Sequence, residues 1–207
     1  MKIIDCVQMT PPWFSARRGV PTASEFSKLL TPVTLQPSQS ADKYIYELIA
    51  EQLGTDPPIE ANFISVAMRD GIEYEAEARR WYAMERDCDV QQVGFCLTDD
   101  GRFGASPDGL VGTEGGLELK VPKTKTHVGY VLNGAGVPPE YIAQVHGNLI
   151  VTGRQWWDFM SYCREAPDRS FIVRVTPDSY TTRLREAMES FWTRYQELLA
   201  AFLGNHE

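Results

Sequence analysis

Two short stretches, Ser106-Pro107-Asp108-Gly109-Leu110 and Gly116-Leu117-Glu118-Leu119-Lys120-Val121, gather side chains that can do chemistry. In an extended chain alternate residues share a face, so Glu118 and Lys120 stand together and Leu117, Leu119 and Val121 point the other way. Gly115-Gly116 reads as the bend that returns the chain and brings Asp108 towards Glu118. Facing carboxylates repel unless a cation sits between them. Hard divalent ions such as Mg²⁺ take oxygen ligands. A lysine beside such an ion positions the water that the ion activates, or takes a proton from it. Taken singly, Pro-Asp-Gly is a turn former and Glu-x-Lys a solvated pair. The combination points to a metal site.

A third carboxylate has to come from another element. The segment around residue 75 reads as a helix, on which Glu75 shares a stripe with Met68, Gly71, Ala78 and Tyr82, the apolar side. An acid there is costly unless paired or bound to a metal, so Glu75 is the candidate. Glu73 and Glu77 share a stripe with Arg80, which reads as a solvated face with an i,i+3 ion pair. Gln144 shares a helical face with Tyr141 and Asn148, a polar stripe that can orient Lys120 or a phosphate. His146, on the opposite face, reads as a satisfied histidine. The run Lys120, Lys123, Lys125, His127 reads either as a phosphate track or as a solvated loop.

The elements that must carry these residues follow from periodicity and turn chemistry. Helices are predicted over 41–53, 62–86 and 138–152, and from Asp178 towards the end of the chain. Gly54 and Gly153 close two of them, and Pro138-Pro139 opens the third. Strands are predicted over 90–97, 102–105, 116–121, 155–163 and 171–176. Residues 31–40, TPVTLQPSQS, read as a loop. The order predicts an α/β fold around one central mixed sheet flanked by helices.

Composition bounds the function classes. The chain has 207 residues, 43% hydrophobic and 23% charged, with net charge −8 and pI about 5.0. That suits a single domain over 1–207 and argues against coating nucleic acid by bulk charge. A positive surface confined to a channel stays compatible with it. No apolar run reaches membrane-span length. MKIIDCVQM lacks the features of a secretory signal. Four scattered cysteines with no CxxC pair suit a reducing cytoplasm.

Pro107-Asp108 followed by Glu118-Leu119-Lys120 resembles the signature of the PD-(D/E)xK nucleases. The fuller strings ASPDGL, GLELKVP and YIAQVHGNLIVTG, with RDGIEYEAEAR around Glu75 and WFSARRGVPTASEFSKLL at 13–30, resemble the phage lambda exonuclease group, the YqaJ-type viral recombinases. The likeness runs from Trp13 to the last helix, with no matched motif over 31–62. It implies a PD-(D/E)xK core with a helical N-terminal elaboration, and a 5′→3′ exonuclease on linear double-stranded DNA. Such an enzyme releases 5′-mononucleotides and leaves a 3′ single strand for a phage annealing protein. It implies that Glu75, Asp108, Glu118 and the Leu119 carbonyl bind two Mg²⁺ ions, for which Mn²⁺ can substitute. Lys120 would act on the attacking water and Gln144 would hold Lys120. Arg17, Ser24 and Ser106 would hold the 5′-terminal phosphate, with Arg17 just before a helix that begins near Ala23. Met68, earlier on the Glu75 stripe, is the candidate strand-separating wedge. The resemblance further implies a ring-shaped homotrimer in the cytoplasm of a bacterial host. Two rival readings are a Mg²⁺-dependent endonuclease of restriction or resolvase type on the same core, and a non-catalytic module that binds DNA ends.

Overall fold

The computed structural model describes residues 1–31, 38–54, 66–134 and 136–204, with the side chains of 66–73 excepted. A five-stranded mixed sheet carries the fold. Its members are β2 (Val90–Gln91), β5 (Gly109–Val111), β6 (Gly115–Lys120), β7 (Trp156–Ser161) and β8 (Phe171–Val175), in the order β2-β5-β6-β7-β8. Only β6 and β7 run parallel, Glu118 opposite Phe159 and Lys120 opposite Ser161. Parallel neighbours need a crossover, supplied here by α4 (Thr124–Asn133) and α5 (Pro139–Thr152). A second, antiparallel sheet of β1 (Lys2–Ile4), β3 (Phe95–Leu97) and β4 (Gly104–Ala105) stands apart from it. The strand expected over 90–97 is therefore two strands in two sheets. The chain changes sheet at Gly94, where a Cβ would come within 2.1 Å of the Cys6 carbonyl oxygen.

Helices cover both faces of the large sheet. On one side α3 (Val66–Glu85) buries Ala78 and Tyr82 against Leu117, Leu119 and Met160. On the other, α2 (Ser40–Leu53), α5 and α6 (Ser179–Gly204) enclose the larger core around Phe26, Leu149, Trp157, Phe159 and Leu184. The expected alternation on β6 therefore holds, with leucines towards α3 and Glu118 towards α5. The short α1 (Pro11–Arg17) precedes a 3-10 turn over Ala23–Lys28.

Gly115-Gly116 is not the bend. The turn is Gly112 to Glu114, with Gly112 at φ +52°, and the two glycines lie inside β6. A Cβ would come within 2.0 Å of the Trp156 ring at Gly115 and within 2.2 Å of the Trp157 ring at Gly116. These glycines admit the tryptophans of β7, and Asp108 approaches Glu118 through the antiparallel pairing of β5 with β6. Behind the sheet, buried Asp158 on β7 accepts from Tyr82 Oη (2.7 Å) and from Arg174 Nε (2.8 Å) and Nη2 (2.9 Å), which ties α3 to the sheet. Gly153 closes α5 at φ +66°.

Candidate active site

Glu118 is 1% exposed, at the centre of the sheet. Its Oε1 accepts from Lys120 Nζ and Gln144 Nε2, each at 2.6 Å, and its Oε2 accepts from Asn148 Nδ2 at 3.1 Å. The polar stripe of α5 thus serves this carboxylate. Gln144 reaches Lys120 through the oxygen they share, and no direct bond between them is present. Lys120 Nζ also lies 4.9 Å from the centre of the Tyr141 ring, a favourable place for a cation.

Asp108 immediately precedes β5 and is half-buried. Its Oδ2 accepts the Leu119 backbone N–H at 2.6 Å, while Arg79 Nε, from α3, donates to its backbone carbonyl at 2.8 Å. Glu75 stands one helical turn before Ala78, on the side of α3 that meets the sheet, and it lines a cavity with Arg79 and Asp108. Burial, then the charge of Asp108, pushes the Glu75 carboxyl up to about 7. The same two causes push Glu118 up to about 7. Burial also raises Asp108, against the pull of Lys120, the Leu119 N–H and Arg79. Burial alone would lower the Lys120 ammonium, but Glu118 and Asp108 outweigh it and hold it above its ordinary value.

Three oxygen-bearing acids crowded enough to resist ionisation, with no Cys or His among them, form a donor set that suits a hard divalent cation. Among the described residues no three acidic, His or Cys side chains converge closely enough to grip an ion as they stand. Four hydrogen bonds fix the two acids of the sheet: Glu118 accepts from Lys120, Gln144 and Asn148, and Asp108 from the Leu119 N–H.

A second cluster adjoins the first through consecutive residues Ser106, Pro107 and Asp108. Ser106 Oγ accepts from Arg17 Nη1 and from Trp13 Nε1, each at 2.9 Å. Both donors lack lone pairs to offer in return, so the Ser106 hydroxyl proton points elsewhere, and no acceptor takes it among the described residues. Arg17 Nη2 reaches Thr22 Oγ1 at 3.3 Å, which in turn shares a hydrogen bond with Ser24 Oγ at 3.3 Å. The guanidinium stacks over Trp13 at 4.4 Å and lies 5.6 Å from the Phe95 ring centre. Burial lowers its pKa, and no carboxylate forms an ion pair with it among the described residues. The turn behind it is fixed by Glu51 Oε2 on the Gly19 N–H (2.9 Å) and Tyr44 Oη on the Thr22 N–H (3.0 Å). The helix expected near Ala23 is a six-residue 3-10 turn, so the cluster is a cage of side chains and not a helix N-terminus.

Other expectations resolve differently. Glu77 accepts from Tyr162 Oη and from Arg164 Nε, each at 2.9 Å, in place of an ion pair with Arg80. His127 is not on a phosphate track. It is buried in α4 with Nδ1 on Ser161 Oγ at 2.9 Å. His146 is buried and satisfied by Thr181 Oγ1 at 2.8 Å. The Met68 side chain, the candidate wedge, lies outside the described residues, as does that of Glu73. Sequence reasoning missed Arg79 and Trp13. It saw Asn148 and Tyr141 only as members of a stripe.

The YqaJ-like viral recombinase domain profile matches residues 12–155. The chain is similar to the alkaline exonuclease LHK-Exo from Laribacter hongkongensis, with 33% identity, 95% of this chain and 97% of that one covered, and a TM-score of 0.81. For LHK-Exo in complex with dAMP the identity is 34%, the coverage 93% and 96%, and the TM-score 0.79. A phage related exonuclease from Haemophilus somnus 129PT is 10% identical at a TM-score of 0.65, covering 88% of this chain and 96% of that one, a likeness of fold alone. No curated protein matches the sequence.

Proposed function

Because the chain belongs to the YqaJ-like viral recombinase family, and its fold and a third of its residues are those of an alkaline exonuclease, we propose that this nuclease is a Mg²⁺-dependent 5′→3′ exonuclease on linear double-stranded DNA. It acts as one domain over residues 1–207, releases 5′-mononucleotides and leaves a 3′ single strand for an annealing protein. The observation that carries this reading is the adjacency of the two clusters. Ser106 belongs to the Arg17 cage, and Asp108, two residues on, belongs to the carboxylate site.

Glu75, Asp108 and Glu118, with the Leu119 carbonyl, would hold two Mg²⁺ ions, or Mn²⁺ in their place. Bound there, the ions supply charge that activates water and stabilises the leaving oxygen. The chain's own groups do the rest. Lys120 Nζ is held against Glu118 Oε1 at 2.6 Å, beside the acids, and serves the attacking water. Gln144 and Asn148 keep Glu118 turned to the site. Water attacks phosphorus, the bond to the 3′ oxygen breaks, and that oxygen leaves with the first nucleotide. The shortened strand keeps the phosphate at its new 5′ end. Each turn therefore regenerates the dianion that Arg17, Ser106 and Ser24 are arranged to hold, with the Ser106 hydroxyl as a donor. LHK-Exo has been seen with dAMP, a molecule of the class such a reaction releases. Family likeness extends the proposal to a homotrimeric ring around DNA, placed in the bacterial cytoplasm. No described helix is long and apolar enough to cross a membrane.

Digestion of linear duplexes with 5′-phosphate or 5′-hydroxyl ends, and of a covalently closed circle, tests the reading in Mg²⁺, Mn²⁺ and Ca²⁺. Mononucleotide release from phosphorylated linear ends in Mg²⁺, with the circle intact, is expected. Cutting of the circle at a similar rate would identify an endonuclease. Binding to ends without cleavage in any ion would identify a non-catalytic module.

A further inference from the structure

The strip Ser106-Pro107-Asp108 is held residue by residue from outside the sheets. Ser106 Oγ takes Trp13 and Arg17. The Asp108 carbonyl takes Arg79 Nε at 2.8 Å. The Pro107 carbonyl takes Gln8 Nε2 at 2.9 Å, and the same nitrogen donates to the Val93 carbonyl at 3.0 Å. A carboxamide nitrogen has two hydrogens, so Gln8 is fully used as a donor. It joins segments 85 and 99 residues away in sequence. Val93 lies in the link from β2 to β3, and Pro107 in the link from β4 to β5. Both links cross between the two sheets, and both carbonyls lie outside the strand ladders. A side chain does there what a neighbouring strand would do elsewhere. The next residue, Met9, has φ +63°, a region that non-glycine residues rarely adopt, which points to a turn fixed by its surroundings. Gln8 and Met9 line one cavity of about 570 Å³ together with Glu75, Arg79 and Asp108.

We propose that Gln8 is a positioning residue for the nuclease reaction. By pinning the Pro107 carbonyl while Arg79 pins the next one, it fixes the peptide that carries Asp108 and sets its carboxylate against the Leu119 N–H, facing Glu75. This rests on the reading of Asp108 as a metal-holding acid. The role is geometric, since Gln8 itself touches only backbone. Losing it leaves Asp108 present but free to turn.

The test is Gln8→Met, which keeps the length and apolar stem and removes both donors. Gln52→Met is the structural control, because Gln52 also joins distant elements, through Nε2 to Tyr195 Oη at 2.7 Å. Three quantities are read: amide hydrogen exchange at Leu119, Mn²⁺ affinity of the DNA-free protein by calorimetry, and the Mg²⁺ concentration for half-maximal digestion. In Gln8→Met, Leu119 exchange should speed up, and Mn²⁺ affinity should fall about tenfold, the scale of two ordinary hydrogen bonds. The Mg²⁺ requirement should rise in step. Gln52→Met should lower the melting temperature and leave all three readings at wild type. Wild-type Leu119 exchange and Mn²⁺ affinity in folded Gln8→Met would overturn the proposal. If Gln8→Met does not fold, Gln8→Glu, which keeps the shape and puts an oxygen where the donor nitrogen stood, is read by the same exchange measurement, and an unchanged Leu119 amide there overturns it equally. A wild type inert towards DNA in every ion would sink the nuclease reading, while the Leu119 comparison would still decide whether Gln8 sets Asp108.

Discussion

Replacing Arg17 by Met separates a ligand-binding arginine from a structural one. The partly buried guanidinium contacts two neutral hydroxyls and an indole face, and no carboxylate pairs with it among the described residues. Withdrawing a cation from water costs up to several kcal/mol. Its hydrogen bonds each return about 1.5–3 kcal/mol, and stacking on Trp13 returns about 0.5–2 kcal/mol. These terms nearly cancel, so Arg17→Met, whose stem still packs on Trp13, should change stability by no more than about 1 kcal/mol, a shift of a few degrees in melting temperature. The effect on an anion should be much larger. One charge-assisted bond to a 5′-phosphate is worth about 1.5–3 kcal/mol, or about tenfold to 150-fold in affinity. The assay is the ratio of digestion rates on 5′-phosphorylated and 5′-hydroxyl linear duplexes. A parallel melting series adds inorganic phosphate, which stabilises only a protein that binds it. Arg17→Met should lose the end preference by that factor, mostly through slower digestion of phosphorylated ends, and should lose the phosphate-induced rise in melting temperature. A retained rate ratio, with a melting temperature depressed by ten degrees or more, would show that Arg17 is a strut and that the phosphate cage lies elsewhere.

Asp108→Asn keeps an acceptor for the Leu119 N–H and removes one carboxylate charge. The protein should fold normally and lose at least ~10²-fold in rate, several kcal/mol of barrier, so a near-wild-type rate in Mg²⁺ would remove Asp108 from the site. Lys120→Arg should recover little of the ~10²-fold or greater loss expected in Lys120→Met, because a planar guanidinium cannot replace a compact ammonium set between Glu118 Oε1 and the Tyr141 ring. Full activity in the arginine variant would mean that charge alone matters there. His146 is buried and its pKa is lowered by burial, against the pull of Asp178, so below about 6.5 the unfolded chain takes up a proton that the folded chain resists. The His146 contribution to stability should therefore fall as pH drops through that range, opposite in sign to the contributions of Glu75 and Glu118, whose raised carboxyls take up protons first in the folded chain, and the stability of His146→Gln should gain on that of the wild type as pH drops. Parallel melting curves for the two proteins from pH 7.5 to 5 would refute this.

The sequence by itself determined the elements with strong periodicity and most of the acid–lysine cluster. Helix 41–53 appears as Ser40–Leu53 and helix 138–152 as Pro139–Thr152, closed by Gly153. The shared face of Glu118 and Lys120 and the place of Glu75 on the inner stripe of its helix were legible because strand and helix periods fix which residues share a face, whereas the approach of Asp108 was read from a bend at Gly115-Gly116 and is made by the pairing of β5 with β6. Element α4 was not legible. TKTHVGYVLN carries Gly129 and several β-branched residues, a poor helix former, and its one fully buried side chain, His127, is polar. The split of 90–97 between two sheets turns on the contact of Gly94 with Cys6, and local pattern holds no trace of it. Gly115-Gly116 looks like a bend in sequence and is a slot for Trp156 and Trp157 in space. The support around the acids was equally hidden: Asn148 on Glu118, Arg79 on the Asp108 carbonyl, Gln8 on the Pro107 carbonyl. A residue's own neighbours set its dihedrals and its face. Which distant carbonyl meets a half-buried amide is decided only when the packed sheets and helices bring the two within hydrogen-bond range, and Gln8 and Pro107 stand 99 residues apart.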